Sequence, residues 1–131
     1  MWLEPPDLVC VVAGGDVAPE ELRSTILLEG AVGRACGRVF LLVDMSGMGI
    51  MESDARKMVR HAVDIPFRGI AVYGAGFKAR VLVKMLAAAL QLFSPGVAKF
   101  LSFFSTEEEA RRWLFAQRAL VDAEHARVVS A

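Results

Sequence analysis

The stretch Val39-Phe-Leu-Leu-Val-Asp44-Met-Ser46 decides the fold, because a run of apolar residues stops abruptly at Asp-x-Ser. Apolar runs of this kind belong to strands covered on both faces, which occur in parallel sheets flanked by helices. The chain continues through Gly47-Met-Gly-Ile-Met-Glu52-Ser53-Asp54 into Ala55, Met58, Val59, Ala62 and Val63, apolar positions at helical spacing. Ser53 is placed to cap that helix, and Asp54 falls in its first turn, where the dipole favours an acid. Pro66 closes it. In a parallel sheet the crevice beyond the carboxyl ends of the strands is where ligands dock, so Asp44, Ser46, Ser53 and Asp54 are candidate functional residues.

The same pattern repeats on either side. Trp2 to Glu4 reads as a short edge strand, with Pro5-Pro6-Asp7 as the turn after it. Leu8 to Ala13 is an apolar run ended by Gly14-Gly15-Asp16, as expected of a strand. A helix carrying Glu20 and Glu21 in its first turn follows, and the glycines predict its end near Gly30 or Gly33. Gly69 to Tyr73 is another buried strand. Gly74-Ala-Gly76 then turns into a helix from about Phe77 to Phe93, stopped by Ser94-Pro95-Gly96. Lys99 to Phe104 makes the last strand, and Ser105 with Glu108 three positions on has the spacing of a capping box for a final helix. An opening hairpin followed by βα units predicts an α/β domain with a mixed, mostly parallel sheet of four to five strands and about four helices.

Composition narrows the function classes. At 131 residues, 55% hydrophobic and 23% charged, the chain suits one compact domain, and disorder is excluded. Fifteen basic and fifteen acidic side chains cancel, so net charge gives nucleic-acid binding no support. The distribution is uneven. From Ile65 to Thr106 there is no acid, while Arg68, Lys78, Arg80, Lys84 and Lys99 all fall there. Either these cations pair with acids from the outer segments, or they form a basic surface for an anionic ligand or lipid. Cys10 and Cys36 lack framework spacing and read as free thiols of a reducing compartment. With no signal-peptide pattern and no apolar stretch long enough to span a bilayer, a cytoplasmic protein is the expectation.

Three junctions carry a family resemblance: Leu-Leu-Val-Asp44-Met-Ser46 with Ser53-Asp54-Ala-Arg56; Ile-Ala-Val-Tyr-Gly74-Ala-Gly76-Phe; and Phe103-Phe-Ser-Thr-Glu-Glu-Glu-Ala110-Arg-Arg-Trp113-Leu. In their order and spacing the chain resembles the STAS family (sulfate transporter and anti-sigma-factor antagonist domains), in its SpoIIAA-like branch, to which the CRAL-TRIO-like lipid carriers are related. The resemblance implies the SpoIIAA-like fold and a non-catalytic binding role. It also implies that a partner docks through the loop from Ser46 to Asp54. The family's phosphorylated serine falls on Asp54 here, and a carboxylate accepts no phosphate. Partner binding would then be constitutive, or switched at Ser53 or Ser46.

Chemistry elsewhere is sparse. Gly74-Ala-Gly76-Phe-Lys-Ala79 fits the dinucleotide pattern, but the next strand ends at Phe103-Phe104 and not at an acid that would hold a ribose. Its helix start, with Lys78 and Arg80, suits a phosphate or lipid headgroup equally. His61 and His125 have no partner at a catalytic spacing, and no metal-ligand motif occurs, so the sequence predicts neither an enzyme nor a cofactor. The helix from Phe77 is apolar nearly all round, through Val81, Leu82, Val83, Met85, Leu86 and Ala87-Ala-Ala-Leu90. A surface helix of a monomer shows a polar face, so a twin subunit or an apolar ligand is expected to cover this one. Two readings result. In the first, the chain binds a lipophilic or anionic small molecule, or a membrane surface, in a crevice formed by Met48, Met51, Tyr73, Gly74, Gly76, Phe77, Lys78, Arg80, Leu82 and Met85. In the second, it is an interaction module resembling an anti-sigma-factor antagonist. Homo-oligomerisation is compatible with either.

Overall fold

The computed structural model describes residues 1–92 and 96–130. Seven strands and four α-helices follow in the order β1 (Trp2–Glu4), β2 (Leu8–Val12), β3 (Gly15–Val17), α1 (Pro19–Cys36), β4 (Val39–Asp44), β5 (Met48–Met51), α2 (Ser53–Met58), β6 (Phe67–Tyr73), α3 (Phe77–Gln91), β7 (Leu101–Phe104) and α4 (Glu107–Ser130). Short 3-10 turns at Val59–Ala62 and Val97–Phe100 complete the chain trace. The main sheet has five strands in the order β1-β2-β4-β6-β7, and β3 pairs with β5 in a separate two-stranded ribbon. Only β1 runs antiparallel to its neighbour. The domain is therefore α/β with a mixed, mostly parallel sheet, as the apolar run at Val39 predicts.

Alternation along the strands sorts side chains to the two faces of the sheet. Leu8, Cys10, Phe40, Leu42 and Ala71 pack with Ala110 and Leu114 of α4. Val9, Val39 and Phe67 pack on the other face with Val32 of α1 and Ala62. The α4 face is also clasped by charge. Asp7, fully buried, accepts hydrogen bonds from Arg38 Nε at 2.8 Å and from an Arg118 terminal nitrogen at 2.6 Å. Arg68 pairs with Glu124, so at least this cation of the acid-free stretch does find an acid from an outer segment.

Several element ends differ from the sequence expectation, each for a local reason. Helix α1 runs past Gly30 and Gly33 to Cys36, and Gly37 in the left-handed region (φ 74°) ends it by donating its N–H to Gly33 O. Gly33 is a packing glycine: a Cβ there would lie 2.8 Å from Pro66 Cδ. Ser53 is the first residue of α2, not its cap. The cap position belongs to Glu52, which makes no side-chain capping bond, and Asp54 keeps its first-turn place. Helix α2 is only a turn and a half long before the chain tightens into a 3-10 turn. The capping box of α4 sits one residue later than Ser105. Glu109 N donates to Thr106 Oγ1 (3.3 Å), which in turn donates to Glu109 Oε1 (3.2 Å). Strand β7 begins at Leu101, after the 3-10 turn that takes up Lys99. Helix α3 is described to Gln91, and its expected end at Phe93 with the stop at Ser94-Pro95 lies outside the described residues.

Candidate apolar binding site

Three elements stand over the second face of the sheet without closing it. Helix α1 lies along one side and the β3–β5 ribbon with α2 crosses the end. Helix α3 is held by the two 3-10 turns more than by the strands, and none of its residues is buried. Between them opens a cavity of about 460 Å³, within the roughly 300–1,000 Å³ common for small-molecule sites. Its floor is the sheet: Val11, Leu41, Val43, Ile70 and Val72. Its walls are Leu22, Thr25 and Glu29 of α1, Val59, and Val83 with Leu86 of α3. Met45, Met48 and Met51 lie over the end, three flexible thioethers of the kind that adapt to irregular apolar shapes. The lining side chains include two carboxyls, Glu21 and Glu29, and no lysine, arginine or histidine.

Glu29 is the unusual member. Its residue is 4% exposed, and its carboxyl, whose oxygens keep some access to solvent through the cavity, makes no hydrogen bond or ion pair with the described residues. Burial alone pushes its pKa up to about 8, with no neighbouring charge contributing. The sequence reading passed over Glu29. A signal was present, since Glu29 follows Leu22 by seven and Ile26 by three and precedes Val32 by three, on the apolar stripe of α1.

The residues singled out from sequence are spread over several places and do not form one crevice. Met48 and Met51 line the cavity. Leu82 packs instead against Val17, Met51 and Ala55, and the α3 residues that reach the cavity are Val83 and Leu86. Phe77 is 83% and Met85 60% exposed, both on the outer side of α3. Lys78 is exposed as well. Arg80 is already engaged, its Nε donating to Ala75 O at 3.2 Å and its guanidinium lying 5.7 Å from the Phe103 ring centre. Tyr73 belongs to the α4 face, where its hydroxyl donates to Glu107 Oε1 at 2.9 Å. Burial, together with that bond, raises the Tyr73 pKa. Arg111 links Glu107 onward to Glu4, whose carboxyl it holds at a pKa of about 2.

The Asp-x-Ser corner is tied internally. Asp44 Oδ1 accepts from both the backbone N–H (2.9 Å) and the hydroxyl (2.6 Å) of Ser46, which holds its pKa below the ordinary value. Gly74 explains the tightness of the next junction. Its φ is +73°, and a Cβ would lie 2.9 Å from that of Ser46, so the glycine admits the neighbouring loop. The polar corner thus borders the cavity without facing into it. Cys10 is buried and Cys36 exposed, both as free thiols. Among the described residues no cluster of metal-ligating side chains occurs, and no helix is long and apolar enough to cross a membrane. A larger hollow of about 850 Å³ lies between α1 and the 3-10 turn after α2, lined by Arg23, Arg34, His61 and Asp64 among others. Two arginines, a histidine and an aspartate share its lining with apolar side chains, whereas the smaller cavity has no cationic side chain.

The site thus defines an α/β domain with a half-open, apolar cavity between its sheet and its helices. Compared with protein-family models, curated proteins and solved structures, the chain matches none.

Proposed function

We propose that this domain is a non-catalytic binding module for a lipophilic small molecule, held between the sheet and helices α1 and α3. The observation that carries this reading is the cavity itself. Apolar side chains from β2, β4, β6, α1 and α3 converge on about 460 Å³ of space that the protein leaves unfilled. A concave, half-open and largely apolar surface of this size is the form that small-molecule sites take. The SpoIIAA-like STAS architecture remains the parent fold in this proposal. The opening hairpin, the βα units and the Asp44 corner support it, and the relation to lipid carriers is consistent with an apolar cargo. The anionic alternative at Lys78 and Arg80 is left out because Arg80 is engaged with Ala75 and Phe103.

Native mass spectrometry of gently purified protein, followed by solvent extraction of the same sample, tests the proposal. The expected result is an excess mass that the solvent releases as an apolar compound. A bare protein that also fails to bind a fluorescent alkyl probe sinks it.

A second reading, an interaction module, is favoured by the outer side of α3. Phe77, Val81 and Met85 recur there at intervals of four and are all exposed. Single exposed apolar residues are ordinary, but a stripe of them marks a contact surface. Light scattering across a concentration series, with Phe77→Ser as the comparison, reads this directly. A monomer at all concentrations removes the self-associating form of the reading.

A further inference from the structure

Resting on the cavity reading, we infer that the bound molecule carries a basic nitrogen on an apolar body, and that this nitrogen is held by the Glu29 carboxyl. Glu29 is the one deeply buried ionisable side chain of the cavity wall, and its carboxyl has no partner among the described residues. A carboxyl set this deep with only the cavity to serve it carries a desolvation cost that a leucine in the same place would not. The surroundings determine what it can receive. From α1 the cavity sees Glu21 near the mouth together with Ser24 and Thr25. The strands contribute only apolar side chains, as do Val59 of the 3-10 turn and Val83 and Leu86 of α3. The Thr25 hydroxyl already donates to Glu21 O at 3.0 Å. With two carboxyls and no lysine, arginine or histidine on its lining, the cavity is unfavourable to a fatty carboxylate, and it accepts a cation by giving up the Glu29 proton.

The proton balance of binding follows. Near neutrality Glu29 is mostly protonated, because its pKa lies at about 8. An alkylammonium ion entering the cavity pairs with the carboxylate, so the carboxyl proton leaves to solvent as the ion pair forms. Affinity then rises with pH up to about 8, where the free carboxyl is ionised without ligand. A charge-assisted hydrogen bond in this shielded site makes the pair worth about tenfold in affinity.

Titration calorimetry on the intact chain, with dodecylamine, dodecanol and dodecanoate below their micelle concentrations, tests the inference. The expected result is one-to-one binding of the amine, about tenfold tighter than the alcohol. Release of close to one proton, read from buffers of different ionisation enthalpy, is expected at pH 7. Glu29→Gln should bring the amine down to the alcohol's affinity, while Glu21→Gln should change the ratio less than twofold. Alcohol and amine binding equally well, or an amine preference that persists in Glu29→Gln, overturns the role of Glu29 and leaves the cavity reading standing. If none of the three chains binds, the cavity reading falls and this inference with it. Proton release from the unmodified protein needs no variant to fold, so the inference stays exposed even if Glu29→Gln proves unstable.

Discussion

Glu29 links stability to pH in the direction opposite to Glu4, Asp44 and Glu107, whose pKa values are lowered. Its folded pKa of about 8 stands above the ordinary 4.5, so the folded state binds the proton more tightly. Its favourable contribution is complete below about pH 4.5, declines as pH rises, and is gone above about 8. The loss across that window is about 2 to 5 kcal/mol. Glu4 works the other way. Arg111 holds its pKa at about 2, so its contribution is present above 4.5 and lost as pH falls towards 2. That pair is part-exposed and screened, so its share is small. Urea unfolding at pH 5 and pH 9 should therefore find the protein clearly weaker at pH 9, and Glu29→Gln should flatten the difference. Equal midpoints for the unmodified protein at the two pH values would contradict the burial of this carboxyl. At this scale the sequence was partly legible. Asp44 and Ser46 stand out at the end of their strand as candidate functional residues and bond to one another there, whereas Glu29 looks in sequence like Glu20 or Glu21, and only its position on the apolar stripe separates them.

At the scale of elements, strands were easier to read than helix ends. A strand such as β4 declares itself by composition, but a helix end depends on what lies across from it. Gly30 and Gly33 resemble stop signals, and the chain continues through them because Gly33 lets Pro66 approach α1. Two effects oppose one another at Gly33. Alanine there gains about 1 kcal/mol of helix propensity, while a Cβ 2.8 Å from the Pro66 ring forces α1 and the α2–β6 connection apart, at about 1 to 3 kcal/mol. The clash prevails: thermal melting should show Gly33→Ala less stable, and a rise in Tm would mean Pro66 is free to move. Helix α3 shows the converse problem. Its nearly continuous apolarity reads as a buried helix, yet none of its residues is buried, because it is seated on two 3-10 turns beside the cavity instead of flat on the sheet. Leu82→Ala should cost about 1 kcal/mol or less, against about 3 kcal/mol for Leu114→Ala, which is 1% exposed in the α4 core. Native-state hydrogen exchange should find the amides of α3 opening well before those of β4 and β6.

For the molecule as a whole, the two faces of one sheet have been given different work. The α4 face is closed by Phe40, Leu42 and Leu114 and clasped by Asp7 with Arg38 and Arg118, all provided by residues far apart in sequence. The opposite face keeps its space open. Neither property could be read along the chain, since the apolar residues of β2 and β4 serve both faces alternately and their sequence does not say which face is filled. The division makes stability and binding separable. Val11 is partly buried and lines the cavity from the sheet side, where a larger side chain extends into unfilled space. Val11→Phe should thus cost about 1 kcal/mol or less, because overpacking is penalised only where neighbours are already in contact. The same change should abolish binding of a fluorescent alkyl probe. Leu114→Ala should do the reverse, lowering the urea midpoint while leaving probe affinity within about twofold of the unmodified protein, since it lies across the sheet from the cavity and such distant sites act nearly independently. If Val11→Phe instead unfolds the protein while probe binding tracks Leu114→Ala, the cavity is part of a single cooperative core, and the sheet does not divide a structural face from a binding one.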